Sequence, residues 1–152
     1  MKLIHLEDDP LYAEYVHLEL QDLAKEDKVS LAIRHIRTER QFTEELNTII
    51  ESGDAFLLDV MVRWCFPEDD PEGIPMKKPL GDYYDAGLRC ARLLLDQLPQ
   101  LPSRTILLYT VYQREEIKAE LDALEAIRGK HQLKILTKGE DMEEVWNTIQ
   151  IR

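Results

Sequence analysis

Cationic side chains, cysteines and long apolar runs are all scarce in this sequence. Lys and Arg total 19 against 30 Asp and Glu, a formal net charge of −11, which argues against a surface built for a phosphate backbone or an anionic lipid. Neither direct contact with nucleic acid nor attachment to a membrane is expected. No stretch approaches the roughly 20 apolar residues that cross a bilayer. The N-terminus enters a short apolar segment and meets acid at Glu7, without the basic region and apolar run of a signal peptide. The two cysteines, Cys65 and Cys90, belong to no CxxC or Cys/His cluster, so neither a zinc site nor a disulfide framework is indicated. Reduced thiols in a cytoplasm are the simplest reading. No internal repeat or low-complexity segment is present, and 152 residues leave room for one domain that buries a core without cross-links.

What is present is an alternation of apolar strands and amphipathic helices. Lys2 to Leu6 reads as a strand; Asp9 and Pro10 then open a helix, a capping carboxylate followed by a proline at the first helical position. Leu11, Tyr15, Leu18 and Leu23 recur along it at helical spacing. Val29 to Ile36 alternates like a strand near a sheet edge, and Thr38 to Gln41 is a capping-box pattern opening a helix with Phe42, Leu46, Ile49 and Ile50. Ala55 to Val62, AFLLDVMV, is apolar except for Asp59, which suits a central parallel strand covered on both faces.

Residues 63–82 hold four prolines and two glycines and read as a long loop. A helix then starts near Tyr83 and carries Leu88, Ala91, Leu94 and Leu95 before Pro99 and Pro102 end it. Thr105 to Thr110 is a strand, Gln113 to Arg128 a charged amphipathic helix, Leu133 to Leu136 a strand and Asp141 to Ile149 a last helix. Five strands alternating with five helices predict an α/β fold, a doubly wound five-stranded parallel sheet with helices on both faces.

Ligands gather beyond the carboxyl ends of the strands in such sheets. The residues found there are Glu7 and Asp8 after the first strand, Asp59 at the end of the third, Thr110 after the fourth and Lys138 after the fifth. Three carboxylates, a hydroxyl and an ammonium in one crevice suit a hard divalent cation such as Mg2+, which prefers oxygen ligands, and a phosphoryl group. A carboxylate at Asp59 can attack phosphorus to give an aspartyl phosphate, with Lys138 neutralising phosphoryl charge and Thr110 donating to a phosphoryl oxygen.

The order acid pair, apolar-flanked Asp, Thr and Lys resembles the receiver domain of two-component response regulators. KLIHLEDDP is similar to that family's first strand and acidic pair, FLLDVMV to its phosphoacceptor strand, ILLYT to the strand ending in the switch Ser or Thr, and LKILTK to the strand ending in its Lys. DAGLRCARLL, Asp85 to Leu94, resembles the opening of its third helix, including Gly87. The resemblance spans essentially the whole chain and implies one receiver domain over 1–152, with the flavodoxin-like strand order 2-1-3-4-5. It assigns phosphoacceptance to Asp59, phosphate contact and switching to Thr110 and Lys138, and Mg2+ binding to Glu7, Asp8, Asp59 and the backbone carbonyl of Met61. Asp9, one place beyond the pair, is left as the helix cap.

The pattern also departs from the family. Four residues after the phosphoacceptor, Arg63 stands where the family usually has proline, and roughly twenty inserted residues, 63–82, follow. The insertion is expected over the site, with Glu68, Asp69 and Asp70 repelling a donor or recruiting a cation and Trp64, Phe66 and Ile74 forming a lid or a partner surface. Val111 stands where a small residue usually follows the Thr, Gly139 where a proline usually follows the Lys, and the last strand lacks its usual aromatic, although Tyr109 and Tyr112 flank Thr110.

Taken singly, these residues have ordinary explanations as caps, strand ends and solvated charges, but an ionised Asp59 within an apolar strand is costly without a partner. His5, His17, His35 and His131 read as scattered, with no metal or catalytic role, and Trp146 as a core or interface anchor. The leading expectation is a stand-alone receiver, since the chain ends just after its last helix. It takes a phosphoryl group from a phosphohistidine on a histidine kinase or phosphotransfer protein. It is not an enzyme in the ordinary sense, beyond catalysing its own phosphorylation and dephosphorylation. Output through a downstream protein target, or a homodimer, is expected on the face of the fourth helix, fifth strand and fifth helix. The alternative is a pseudo-receiver that signals without phosphorylation through the 63–82 insertion. A third reading, a small phosphotransferase or phosphatase with an Asp nucleophile, requires a general acid close behind that nucleophile, which Met61 cannot supply.

Overall fold

The computed structural model describes residues 1–66, 85–97, 102–139 and 141–150. Within these, β1 (Lys2–Leu6), β2 (Ala32–Ile36), β3 (Ala55–Leu58), β4 (Thr105–Thr110) and β5 (Gln132–Thr137) form one sheet in the order β2-β1-β3-β4-β5. Every neighbouring pair is parallel. This is the expected sheet, and β3, wholly buried, lies at its centre.

Alternation along each strand feeds two cores. Leu3, Ala55, Leu57, Leu107 and Tyr109 pack with α1 (Pro10–Glu26) and α6 (Met142–Ile149). Ile4, Leu6, Phe56, Leu58, Ile106 and Leu108 pack with α2 (Glu39–Glu44), α3 (Leu46–Ser52), α4 (Ala86–Gln97) and α5 (Lys118–Ile127) on the other face. Among the described residues no helix is long and apolar enough to cross a membrane.

Several local expectations shift. Of the apolar stripe expected on α1, Leu11, Tyr15 and Leu18 are exposed and Leu23 packs partly buried against the core, while the helix buries Ala13, Val16, Leu20 and Ala24. The helix expected from Thr38 onward is two helices, parted at Glu45, whose carboxylate is drawn to Arg34 and to Gln41 Nε2. Helix α5 begins at Lys118 rather than Gln113: Gln113, Arg114, Glu115 and Glu116 are exposed polar residues with no apolar face to bury, and Gln113 N donates to Glu116 Oε2 in a turn. Of the inserted loop, Arg63 to Phe66 are described; residues 67–82, with Glu68, Asp69, Asp70 and Ile74, and the helix start at Tyr83 lie outside the described residues.

Candidate functional site

Four strands, β1, β3, β4 and β5, bring the candidate residues to one end of the sheet. Backbone pairing fixes the first two: Glu7 N donates to Ile36 O (3.0 Å) and Asp59 N to Leu6 O (2.9 Å). Glu7 and Asp59 are therefore held side by side at the ends of β1 and β3, both buried. Asp8 completes a group in which one oxygen from each of the three carboxylates lies within 4.8 Å of the others. Asp9 behaves as read from sequence, its Oδ1 accepting from Leu11 N (2.9 Å) and Tyr12 N (3.2 Å) as the cap of α1.

Lys138 follows β5 and reaches back across β4. Its Nζ donates to Glu7 Oε2 (2.5 Å) and to Asp59 Oδ2 (2.9 Å), and its backbone N donates to Thr110 O (2.7 Å). One ammonium does not balance two buried carboxylates. Burial first, and then repulsion from Asp59, raises the Glu7 pKa above the usual range, and burial raises that of Asp59 despite Lys138 and the backbone N–H groups of Met61 and Val60. Burial works against the charge on Lys138, but Asp59 and Glu7 outweigh it and its pKa is raised. A site with this surplus of negative charge and three converging carboxylate oxygens fits a hard divalent cation.

Thr110 is fully buried at the end of β4, and its Oγ1 accepts from Tyr112 N (3.3 Å). Its neighbour Val111 is largely exposed and lines, with Asp9, Tyr12, Tyr15, Tyr109, Lys138 and Gly139, an open cleft of about 420 Å³ beside the Lys138 ammonium. Gly139 has φ +97, a conformation that proline cannot adopt, and its N donates to Tyr109 Oη (3.4 Å). Tyr109 is buried towards α1 and α6, whereas Tyr112 packs partly buried against the other core.

Gly87 is fixed by close approach. Its N donates to Val60 O (2.9 Å), and a Cβ there would lie 1.9 Å from Asp59 O, so only glycine lets α4 start against the Asp59 backbone.

Two features escaped the sequence reading. Arg63 reaches Asp8, with both its N (3.2 Å) and its Nε (2.8 Å) donating to Asp8 Oδ2. The histidines are not scattered: His5, His17 and His35 form a cluster with ring centroids 5.1 to 5.9 Å apart. His5 Nδ1 lies 2.9 Å from His17 Nε2, and His35 Nε2 donates to Glu7 O (2.7 Å), placing the cluster directly behind the acidic pair. The pairing of His5 with His35 in the β1–β2 register brings them together, and α1 lays His17 across them. His131 is buried apart, its Nδ1 accepting from Arg104 N. Trp146 is a core anchor whose Nε1 donates to Asp27 Oδ2 (2.7 Å).

No known family model and no curated protein matches this sequence. Solved structures do match. A response regulator receiver domain protein from Clostridium thermocellum aligns with a TM-score of 0.62 at 11% identity, covering 97% of this chain and 90% of its own. A response regulator from Colwellia psychrerythraea aligns with a TM-score of 0.57 at 11% identity, over 97% and 92%. At such identity the likeness is one of fold, and this chain has the fold of response regulator receiver domains.

Proposed function

Starting from that fold, we propose that the chain is a phosphoacceptor signalling domain of a two-component system, taking a phosphoryl group from a phosphohistidine onto Asp59. The observation that carries the reading is the convergence of Glu7, Asp8 and Asp59 with Lys138 bonded across Glu7 and Asp59. A carboxylate oxygen of Asp59 attacks phosphorus; the new P–O bond forms as the P–N bond to the donor imidazole breaks, and the imidazole leaves with the bonding pair. Such transfer needs alignment and charge stabilisation more than covalent help. Lys138 already touches Asp59 and shifts its charge to the arriving phosphoryl oxygens; Thr110 Oγ1 carries a hydroxyl proton to donate to one of them. Glu7, Asp8, Asp59 and the Met61 carbonyl are the residues that would hold Mg2+, which when bound offsets phosphoryl and carboxylate charge. No separate substrate is turned over, so the chain is not an enzyme in the ordinary sense.

The donor is a histidine kinase or histidine phosphotransfer protein. The exposed stripe Leu11, Tyr15 and Leu18, on the helix that starts at the acids, offers it an apolar surface. Movement of Thr110 towards the phosphoryl group would bias the face of α5, β5 and α6 between two states, for contact with a target protein or a second copy. The role proposed is a cytoplasmic one, in keeping with the free thiols of Cys65 and Cys90.

The test is to incubate the protein with Mg2+ and acetyl phosphate and follow intact mass. A gain of one phosphoryl group, labile to hydroxylamine and lost in Asp59→Ala, is expected. The engagement of Asp8 by Arg63 favours a second reading, a pseudo-receiver that signals without phosphorylation. Absence of the adduct at every Mg2+ concentration would select it.

A further inference from the structure

The Arg63 guanidinium is built into the acidic end of the sheet. Its Nε and its backbone N both donate to the same oxygen, Oδ2 of Asp8. The segment is tied down on either side: Arg63 O accepts from Glu39 N (3.1 Å) and Trp64 O from Arg40 N (2.9 Å), at the start of α2. The guanidinium also lies 4.6 Å from the centroid of the Phe66 ring, which is itself buried and also carries Arg37 at 4.4 Å. Stacking on a fixed ring holds a guanidinium in place at low entropic cost. Arg63 is thus a preorganised cation on one of the three carboxylates that converge, as Lys138 is on the other two.

We infer that Arg63 is a resident counter-ion of Asp8 that competes with a divalent cation for it, setting the Mg2+ affinity of the acidic site. The inference rests on the phosphoacceptor reading and deepens it. An oxygen that accepts two N–H bonds from Arg63 gives up that charge-assisted contact to serve a metal. The Arg63 side chain is half exposed, so release costs little. The consequence is a site that fills at higher Mg2+ concentration than the carboxylates alone would dictate, with Arg63 free, once displaced, to face the incoming phosphoryl oxygens.

The test is isothermal titration of Mg2+ into wild type, Arg63→Gln and Arg63→Lys, with circular dichroism to verify folding and acetyl phosphate labelling run in parallel. Arg63→Gln is expected to bind Mg2+ roughly fivefold tighter, the size set by an exposed ion pair, and Arg63→Lys to fall between. The Arg63 Nε–H resonance in wild type is expected to shift as Mg2+ is added. Phe66→Leu, which keeps the charge but removes its platform, is expected to tighten Mg2+ by a smaller factor and serves if Arg63→Gln folds poorly. Equal or weaker binding in Arg63→Gln with normal Asp59 labelling overturns this inference and leaves the phosphoacceptor reading standing. No Mg2+ binding and no adduct in any variant overturns both.

Discussion

A Cβ on Gly87 would sit 1.9 Å from the carbonyl oxygen of Asp59, closer than any non-bonded contact allows. Neither side can yield easily, because Asp59 is bonded through its N to β1 and Gly87 through its N to Val60 O. Gly87→Ala is therefore expected to cost about 3 kcal/mol or more and to disturb Asp59 itself. Gly129, with φ +56 and nothing within 4 Å of a built Cβ, is the control: Gly129→Ala should cost only about 1 kcal/mol of backbone strain. Urea denaturation of both variants measures the difference, and similar losses would show that the close approach is not real.

Lys138 is the cation on which two buried carboxylates depend. Lys138→Met should destabilise the protein by about 3 kcal/mol at neutral pH, the cost of stranding buried charge, and Glu7→Gln in the same background should recover much of it. The pH dependence has a defined sign. Glu7 and Asp59 have folded pKa values above their ordinary ones, so the folded state keeps protons that the unfolded chain releases. Their contribution to stability is present at low pH and is lost as pH rises through the folded values. The Lys138→Met deficit should accordingly shrink on acidification; a deficit independent of pH would be evidence against the charge argument.

His17 works in the opposite direction. Burial, followed by repulsion from His35, lowers its pKa to about 4, and burial and its neighbours lower that of His5 well below the ordinary value. Between the ordinary value near 6.5 and about 4 the unfolded chain binds a proton that folded His17 refuses. The contribution of His17 to stability is intact above the upper limit and is lost as pH drops through the window. His17→Gln should flatten the loss between pH 6.5 and 4 in thermal melts, with little effect at pH 8. Because Glu7 and Asp59 act with the opposite sign in both proteins, the comparison decides: identical pH profiles for wild type and His17→Gln would contradict the lowered His17 pKa.

The strand ends were legible because each strand is a short apolar run with one conspicuous polar residue behind it, and the parallel order then sends Glu7, Asp59, Thr110 and Lys138 to one edge. What was not legible depends on register and on loop course. His5 and His35 pair across two strands, a relation that helical or alternating periodicity along one segment does not encode. Arg63 reaches Asp8 because the chain after β3 turns onto the start of α2, fixed by Glu39 N and Arg40 N. In α1 the more hydrophobic stripe, Leu11, Tyr15 and Leu18, was the visible one, whereas the core selected the smaller Ala13 and Ala24 with Val16 and Leu20 because α1 also packs against α6. The break at Glu45 likewise coincides with a tertiary partner, Arg34 on β2, which periodicity along the segment does not encode.

The aromatic wall of the cleft separates two effects at one residue. The Tyr12 ring lies 4.6 Å from Lys138 Nζ, while its hydroxyl donates to Tyr109 Oη (3.1 Å), which in turn contacts Met142 Sδ (3.8 Å). Tyr12→Phe keeps the ring over the ammonium and removes only the hydroxyl link, so acetyl phosphate labelling of Asp59 should proceed at the wild-type rate with stability reduced by about 1 kcal/mol. Tyr12→Leu removes the ring as well, costs about a further 1 kcal/mol of cation–π attraction, and frees Lys138 from one of its three contacts, so labelling should slow. Intact-mass time courses and urea melts on the two variants decide the matter: equal labelling rates in Tyr12→Phe and Tyr12→Leu would mean that the ring plays no part in holding Lys138 over Asp59.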